Sequence, residues 1–291
     1  MDAQLISALD AQSELKESPK WIKAFRIGGK LAYSGLIRRS DGKTVKKTVP
    51  TFWGGKMVVV LPEQVSLTIY RYKFLEYDLT RAFLDYLKPG MTFFDVGAHF
   101  GYFTCLASHL VGPTGQVLSF EPTRSTFEIL GENAASRPNV KINNVAAYSK
   151  PTTIQFNDYG IAYSAFNSLA GARLDENQRA KLKPNIYDVK AITIDDYVRQ
   201  TGAKPAAMKI DAESAEYDIL LGMDRVLTEI KPAISIEVGD YAIDGVTESS
   251  KVVQYLMSKG YQPHEWRDGA LRLHEAKSNY EYANLLFLPN G

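Results

Sequence analysis

Short apolar runs alternate with longer segments of helical spacing from Thr92 to near the end of the chain. TFFDV (92–96), QVLSFEP (116–122), AAMKID (206–211) and PAISIEV (232–238) have the length and residue types of buried strands. Each precedes a segment whose apolar residues recur every three or four positions, as in an amphipathic helix. Strands separated by helices pair in parallel, and the helices cover both faces of the sheet. The pattern therefore predicts an α/β fold with a mostly parallel sheet.

The residues before this alternation have a different pattern. LAYSGLIRR (31–39) and KTVKKTVPTFW (43–53) flank Asp41-Gly42, a dipeptide typical of tight hairpin turns. Gly54-Gly55 then precedes another apolar run, KMVVVLP (56–62). The sequence therefore predicts strands over most of residues 30–62.

A helix is expected after these strands, and Pro89-Gly90 ends it. Its apolar stripe consists of Leu79, Ala82, Phe83, Tyr86 and Leu87. We therefore divide the chain into a β-rich and helical accessory segment, 1–87, and an α/β domain, 88–291. Residues 158–188 are polar and aromatic without clear periodicity, and we interpret them as an insertion in that domain.

Charge and cysteine content limit the class of protein. The 34 Lys and Arg and 33 Asp and Glu residues leave a net charge of +1, which disfavours a nucleic-acid partner. The one cysteine, Cys105, excludes an internal disulfide and a thiolate metal cluster. No apolar run approaches the roughly 20 residues of a membrane span, and the first residues do not resemble a signal peptide. We therefore expect a cytoplasmic enzyme.

Basic and aromatic residues cluster near the N-terminus, in PKWIKAFRIGGK (19–30). A helix that faces a membrane or a polyanion has this composition. A helix with one face in solvent that is anchored by a single tryptophan, here Trp21, has the same composition. The sequence favours this second interpretation.

Four predicted strands end in an acidic residue: Asp95, Glu121, Asp211 and Glu237 lie at or next to the ends of separate strands. In an open α/β sheet, ligands bind beyond the carboxyl ends of the strands. The fold therefore brings four carboxylates to one edge of the sheet. Acids also cap following helices, but four in corresponding positions favour a ligand site.

The turn after the first of these strands contains two glycines, Gly97 and Gly101, in the pattern D-x-G-x-x-x-G. Glycine permits positive φ and leaves room for a ligand beside the backbone. The pattern differs from G-x-G-x-x-G, which binds a pyrophosphate at a helix N-terminus. An acid beside this turn suits a cationic ligand, and S-adenosylmethionine has an ammonium group, a sulfonium and no phosphate.

The next strand end has the acid that a nucleoside requires. Glu121 follows Gly101 by about 20 residues, the separation at which an acid binds ribose hydroxyls. Pro122 fixes the backbone after it, and Asn144 and Ala146 at the end of the third strand leave room for adenine. Further candidate cofactor-binding residues are Phe100 and Thr104 after the turn, and Asp211 at the end of a later strand. Glu76 is another candidate, which could close the pocket from the N-terminal side together with Phe74 and Tyr77.

The sequence resembles the FkbM-type family of S-adenosylmethionine-dependent methyltransferases. The resemblance rests on FFDVGAHFGYFT, FEPTRSTFEIL, ITIDDYV, MKIDAESAEYDILLGM and PAISIEV, which occur in the family's order between about Thr92 and Val238. It implies a Rossmann-like class I methyltransferase fold with a mostly parallel seven-stranded sheet. It also implies methyl transfer to the oxygen of a hydroxyl group, on a small molecule, a sugar or another natural product.

Two positions depart from the family's pattern. The usual K-I-D-V-E-G-A-E is KIDAESAE here, so that Ser214 replaces a glycine, and His99 stands where the family more often has asparagine. Both positions bear on the pocket, which limits what the family implies about the acceptor.

Methyl transfer to an aliphatic hydroxyl needs a base within hydrogen-bond distance of the acceptor oxygen. Asp211 is the first candidate, followed by Glu237 and Glu213, since clustered carboxylates raise one another's pKa. Glu213 could instead cap the following helix, and His99 is a further candidate base. In an alternative interpretation, the three carboxylates bind Mg²⁺ or Ca²⁺. Lys209 could neutralise the negative charge of the cluster without a metal.

Sequence features also bear on three alternative functions. A nicotinamide-dependent oxidoreductase is disfavoured because G-x-G-x-x-G is absent from the sequence. A nucleic-acid methyltransferase is disfavoured by the balanced charge and the absence of an N-P-P-[YFW] motif. A methyltransferase-like binding protein without catalysis remains an alternative. The insertion has the composition of a substrate lid or of a segment that packs on its own core, with the residues Tyr159, Tyr163, Phe166, Asn167, Ser168 and Arg173. The accessory segment could shape the acceptor pocket, form a homodimer or do both.

Overall fold

The computed structural model describes residues 2–39, 43–168, 183–239, 247–267 and 269–290. The α-helices are α1 (Ala3–Glu17), α2 (Lys20–Arg38), α3 (Gln64–Tyr72), α4 (Tyr77–Tyr86), α5 (Tyr102–Val111), α6 (Arg124–Ala134), α7 (Ile194–Thr201), α8 (Glu216–Leu221) and α9 (Ser249–Ser258), with a 3₁₀ helix at Ile161–Phe166 and a π-helix at Val226–Ile230. None of the helices within these ranges is long and apolar enough to cross a membrane.

The strands form three sheets. They are β1 (Val45–Pro50), β2 (Lys56–Leu61), β3 (Thr92–Val96), β4 (Gln116–Phe120), β5 (Val140–Asn143), β6 (Ala146–Ala147), β7 (Thr152–Asp158), β8 (Asn185–Ile192), β9 (Ala207–Ile210), β10 (Ala233–Val238), β11 (Tyr261–Arg267), β12 (Ala270–Leu273) and β13 (Ala283–Pro289). The main sheet has the order β12-β11-β13-β10-β9-β3-β4-β5, and the others are the hairpin β1-β2 and the sheet β6-β8-β7.

The main sheet confirms the predicted Rossmann-like α/β architecture. The five strands β10, β9, β3, β4 and β5 are joined by parallel pairings, and β13 pairs antiparallel with β10. The predicted count of seven strands is one too low for this sheet, because β11 and β12 form an antiparallel pair at its edge.

Alternating side chains of the central strands bury two cores. Phe93 belongs to the core beneath α3, α4 and α5, whereas its neighbour Phe94 belongs to the core beneath α7, α8 and α9. Successive residues of a strand point to opposite faces, so continuous apolar runs place one core on each side. Both faces of the sheet are therefore covered, and ligand access is confined to the strand ends.

The accessory segment is more helical than predicted. LAYSGLIRR, predicted as a strand, lies within α2 and the following residue, and the predicted turn at Asp41-Gly42 lies outside the described residues. The buried residues of α2 include Ile27, Ser34 and Ile37, which are seven and three positions apart. This spacing is helical, and packing on it outweighs local strand preference. The observed hairpin is instead β1-β2, whose turn contains Gly54-Gly55.

The predicted insertion, 158–188, is partly regular. Its last residues belong to β8, which pairs antiparallel with β7, and Ile161–Phe166 form a 3₁₀ helix. Arg173 lies outside the described residues. The 3₁₀ helix contacts α3 and α6. The 3₁₀ helix therefore packs on α3 and α6, and its Ser164 lies beside the turn after β3, with Oγ 2.7 Å from His99 Nε2.

Candidate active site

A cavity lies at the carboxyl ends of β3, β4 and β9, where the sequence predicts a ligand. With its open mouth included it encloses about 1030 Å³, which is the size range of small-molecule pockets. Its lining includes 95–100 from the first turn, 121–123 from the second and Lys209 with 211–213 from the third. Ten of the predicted site residues line the cavity: Glu76, Asp95, Gly97, His99, Phe100, Glu121, Pro122, Ala146, Asp211 and Glu213.

Four predicted site residues lie behind this lining. Gly101 begins α5, and a side chain there would meet Leu130 Cδ1 at 2.5 Å. Thr104 is buried below Asp95, and Glu237 is buried at the end of β10. Asn144 Nδ2 donates to the carbonyl oxygens of Glu121 and Pro122. These residues shape the cavity from outside rather than from its wall.

Gly97 is needed for the packing of two strand ends. Its φ is +78°, and a Cβ there would lie 1.7 Å from the carbonyl oxygen of Asp211. The turns after β3 and β9 therefore approach each other closer than any side chain permits. The sequence predicts that glycine makes room for a ligand, but in the structure the neighbour of Gly97 is protein backbone.

Asp95 is a buried carboxylate that lines the cavity and has one oxygen that is unpaired in the part of the chain that the structure describes. Thr104 Oγ1 donates to Asp95 Oδ2 at 2.6 Å and also contacts Ser119 Oγ at 2.8 Å. Asp95 Oδ1 is buried and has no hydrogen-bond partner among the described residues. Burial raises the pKa of Asp95, while Lys209 and Thr104 oppose that shift. A buried acceptor without a donor fits a ligand with an ammonium group.

Glu121 joins the first two turns. Its Oε2 accepts from the backbone N–H of His99 at 2.8 Å, and its Oε1 accepts from the N–H of Thr123 at 2.9 Å and from Thr126 Oγ1 at 2.8 Å. Burial raises the pKa of Glu121, and these donors partly reverse the rise.

His99 is held in a strained and buried position. Its φ is +49°, and its Nε2 lies 2.7 Å from Ser164 Oγ of the 3₁₀ helix. Burial lowers the pKa of His99 to about 4. The ring is therefore neutral near pH 7 and is a weak base.

A buried ammonium group lies among the acids. Lys209 Nζ is 2.6 Å from Asp211 Oδ2 and 5.0 Å from the centre of the Phe103 ring. Burial alone would lower the pKa of Lys209, but Asp211, Glu76 and Asp95 raise it above its ordinary value. The lysine is therefore charged, and it offsets only part of the negative charge around it.

Glu76 extends this cluster from the accessory segment. It precedes α4 with φ +43°, and Asn284 Nδ2 of β13 donates to its Oε2 at 2.9 Å. Burial raises the pKa of Glu76 to about 7, against the attraction of Lys209 and with the repulsion of Asp211. The carboxyl group therefore takes up a proton within the physiological range.

Replacement of Glu76 by glutamine should remove a pH dependence of stability. A folded-state pKa of about 7, above the usual 4.5, means that the folded chain holds a proton that the unfolded chain has lost. Wild-type stability should therefore fall as pH rises from about 4.5 to about 7. Glu76→Gln should match wild type near pH 5 and exceed it by about 2 kcal/mol at pH 8. Urea unfolding at both pH values measures this, and equal curves at pH 8 would contradict it.

The third turn brings three carboxylates together. One oxygen each of Asp211, Glu213 and Glu237 lies within 4.8 Å of the others. Glu213 and Ser214 have φ values of +48° and +82°. Such conformations cost energy outside glycine and are frequent at functional sites.

Ser214→Gly should stabilise the protein, because Ser214 occupies a left-handed conformation that glycine adopts without strain. We expect a gain of about 1 kcal/mol, reduced somewhat by the greater entropy of unfolded glycine. Thermal unfolding measures it. The matched control is Ser136→Gly at an exposed turn residue without positive φ, which should not stabilise. Equal effects of the two substitutions would be the contrary result.

Several lining residues carried no sequence signal. They are Val65 and Ile69 of α3, Phe156 of β7, and Ser164 from the insertion, whereas Asn167 is one of the polar residues that the sequence indicates there. Asn167 Oδ1 accepts from the N–H of Tyr159 at 2.8 Å, while its buried Nδ2 has no partner in the described ranges. Only the polar and aromatic composition of the insertion indicated a contribution to the pocket.

Comparison with known proteins places the chain in a family. Residues 95–263, more than half of the chain, match the model of the methyltransferase FkbM domain. The chain is 26% identical over 157 residues to the hexuronic acid methyltransferase AglP of Haloferax volcanii. That match covers 53% of this chain and 59% of the relative, so the two proteins share only part of their length.

Solved structures of methyltransferases are also similar. The FkbM methyltransferase of Methylobacillus flagellatus KT has 17% identity and a TM-score of 0.43, with 76% of this chain and 52% of that chain covered. Fibrillarin of Aeropyrum pernix, solved with natively bound S-adenosyl-L-methionine, has 15% identity and a TM-score of 0.41, with 72% and 73% covered.

The cavity fits the cofactor of such enzymes. The unpartnered Asp95 Oδ1 suits its ammonium group, and the Glu121 carboxylate at the next strand end suits a ribose diol. The matched residues include both of these strand ends as well as the third turn. The chain therefore belongs to the FkbM methyltransferase family, and S-adenosylmethionine is its cofactor.

Proposed function

We propose that this methyltransferase transfers the methyl group to a hydroxyl oxygen of a carbohydrate or sugar-containing small molecule. The observation that carries the proposal is the group of carboxylates beside the cofactor cavity, which can remove a hydroxyl proton. The relative AglP, a hexuronic acid methyltransferase by name, supports a sugar acceptor. The described part of the insertion adds Ser164 and Asn167, whose polar atoms suit hydroxyl groups.

The cofactor, when bound, supplies an electrophilic methyl group on a sulfonium. We propose that Asp95 and Glu121 hold its ammonium group and ribose, with the first turn, Phe100, Pro122 and Ala146 forming the remaining wall. Thr104 and Asn144 act from behind, by fixing Asp95 and the turn after β4. An aligned methyl donor and acceptor account for much of the rate of such a reaction.

Asp211 is the proposed base. It lines the cavity, and its Oδ2 accepts from Lys209, which fixes the orientation of the carboxylate. Glu213 also lines the cavity and ranks above Glu237, which is buried behind it. His99 ranks last because burial lowers its pKa to about 4, which makes the imidazole a poor acceptor for a hydroxyl proton.

A second candidate is metal-assisted methyl transfer. It is supported by the 4.8 Å spacing of carboxylate oxygens from Asp211, Glu213 and Glu237. A divalent cation held by oxygen ligands would lower the pKa of a bound hydroxyl. The nearby Lys209 ammonium competes with a cation for Asp211. Loss of activity in EDTA, with recovery on addition of Mg²⁺ or Ca²⁺, would favour this candidate over the metal-free reaction.

The accessory segment is proposed to complete the pocket. The division near residue 87 separates it from the α/β domain in the sequence, yet Val65, Ile69 and Glu76 line the cavity. These contacts support a role for the segment in shaping the acceptor site, whether or not it also forms a homodimer.

The test is a screen of hydroxylated acceptors, including hexuronic acids and neutral sugars, for a methyl-sized gain in mass that depends on the cofactor. The position of the methyl group on the product is then assigned by fragmentation. Asp211→Asn should lower kcat by about 100-fold or more while cofactor binding persists. Methylation at nitrogen or carbon, or a folded protein that binds the cofactor but methylates no acceptor, would contradict the proposal. The latter result would favour a binding protein without catalysis.

A further inference from the structure

Helix α2 presents large apolar side chains to solvent. Trp21, Phe25 and Leu36 have exposed fractions of 73%, 90% and 69%. Helix α2 is kinked at Ile27, where φ is −133° and ψ is 19°. Trp21 and Phe25 are four positions apart before the kink, and Ala32 and Leu36 are four positions apart after it, so each half of the helix exposes an apolar pair on one side. Trp21 therefore does not anchor α2 to the core, contrary to the preferred sequence interpretation. We call these four residues the apolar stripe.

The opposite side of α2 is firmly packed. Ile27, Ser34 and Ile37 are buried, Lys30 Nζ donates to the carbonyl of Tyr70 at 2.8 Å, and Arg71 donates to Ser34 Oγ at 2.6 Å. The helix is thus held against α3 by its own buried face. These contacts fix α2 from Ile27 onward, so Leu36 is exposed on a helix half that is itself packed against α3.

The charge around the stripe is strongly positive. Residues 18–62 contain ten Lys and Arg residues and one acid, a formal charge of +9 in a chain whose total is +1. Within α2 itself there are five basic residues and no acid. Lys20 and Arg26 are exposed on the same helix as the stripe. Residues 18–62 therefore combine the apolar stripe with an excess of basic residues.

We propose that α2 binds the chain peripherally to the surface of an anionic lipid bilayer. A helix with aromatic and aliphatic residues on one face and basic residues beside it lies in the membrane interface, and anionic headgroups attract the basic residues. A second copy of the chain fits less well, because a two-fold contact would bring two segments of +9 together. A nucleic acid would match the charge but would leave Leu36 without a partner.

The placement of α2 links this surface to the active site. Helix α2 packs on α3, and α3 contributes Val65 and Ile69 to the cofactor cavity. A helix layer is about 10 Å thick. Binding through α2 would thus hold the cavity one helix layer from the lipid, which suits an acceptor carried by the membrane. The surface proposal itself does not depend on the nature of the acceptor.

The test is sedimentation of the full chain with vesicles of phosphatidylcholine, alone or with about 30 mol % phosphatidylglycerol. We expect binding to the mixed vesicles, and binding that is weaker by about tenfold or more to phosphatidylcholine alone or at high salt. Trp21→Ala with Phe25→Ala should weaken binding by about tenfold or more, and Lys20→Gln with Arg26→Gln should do the same. Trp21→Phe should retain binding.

The matched control removes exposed apolar side chains elsewhere. Met257 and Leu273 are 44% and 62% exposed, and Met257→Ala with Leu273→Ala should bind vesicles as wild type does. Binding lost equally in this control would overturn the proposal, as would a folded wild type that does not sediment with mixed vesicles. A dimer in sedimentation equilibrium that Trp21→Ala with Phe25→Ala dissolves, or RNA binding through the same residues without vesicle binding, would also overturn it.

Discussion

Replacement of Gly97 by alanine should destabilise the protein by about 4 kcal/mol or more and abolish cofactor binding. The added Cβ would lie 1.7 Å from the carbonyl oxygen of Asp211, at a backbone φ of +78°. Backbone cannot move aside as a flexible side chain can, so the turns after β3 and β9 must separate. Thermal unfolding should show a drop of about 10 °C or more, and calorimetry should show no cofactor binding.

A control substitution at Gly54 separates the effect of the steric clash from that of backbone strain. Gly54 has nearly the same φ, +80°, but a Cβ there would meet nothing within 4 Å. Gly54→Ala should therefore cost only the backbone strain, about 1 to 2 kcal/mol, and leave cofactor affinity unchanged. If Gly97→Ala lowered the free energy of unfolding no more than Gly54→Ala does, the two strand ends would not approach each other as closely as described.

Lys209→Met should cost about 3 to 5 kcal/mol, because it leaves buried carboxylates without their counter-ion. Lys209 is 3% exposed, and its Nζ is 2.6 Å from Asp211 Oδ2. The negative charges of Glu76 and Asp95 also raise its pKa. Without the ammonium group the folded-state pKa values of these carboxyl groups rise further. The loss should therefore grow as pH rises above about 4, where the unfolded carboxyl groups ionise.

Unfolding in urea at pH 5 and pH 8 measures both parts of this expectation. Lys204→Met removes an exposed lysine just before β9 and should change stability little at either pH. Lys209→Met should be closer to wild type at pH 5 than at pH 8. A loss that is independent of pH would mean that lysine packing, rather than its charge, holds the strand end together.

The sequence predicts strands most accurately where burial determines the pattern of apolar residues. Strands β3, β9 and β10 are buried along most or all of their lengths, so their apolar runs stand out from the flanking turns. Helix α2 was misread because its glycines and β-branched residues weaken the helical signal, while the contacts that stabilise it lie in α3 and β2. Such tertiary contacts are not visible in a local window.

The same distinction applies to the site. Asp95, Glu121 and Asp211 were predicted at one edge because parallel strands end together, and all three line the cavity. Lys209 was identified, but its position among three acids depends on Glu76, which comes from another part of the chain. Asn167 reaches the cavity through the path of the insertion, and no periodicity in the sequence specifies that path.

The most direct measurement of the central claim is a calorimetric titration of wild type, Glu121→Gln and Glu128→Gln with S-adenosylhomocysteine. Glu121 lines the cavity, whereas Glu128 is exposed on the following helix. We expect one-to-one binding to wild type and Glu128→Gln, and binding weaker by about tenfold or more to Glu121→Gln, with thermal unfolding showing that all three are folded. Equal affinity of the three proteins would contradict the assignment of this cavity, and of Glu121, to the cofactor.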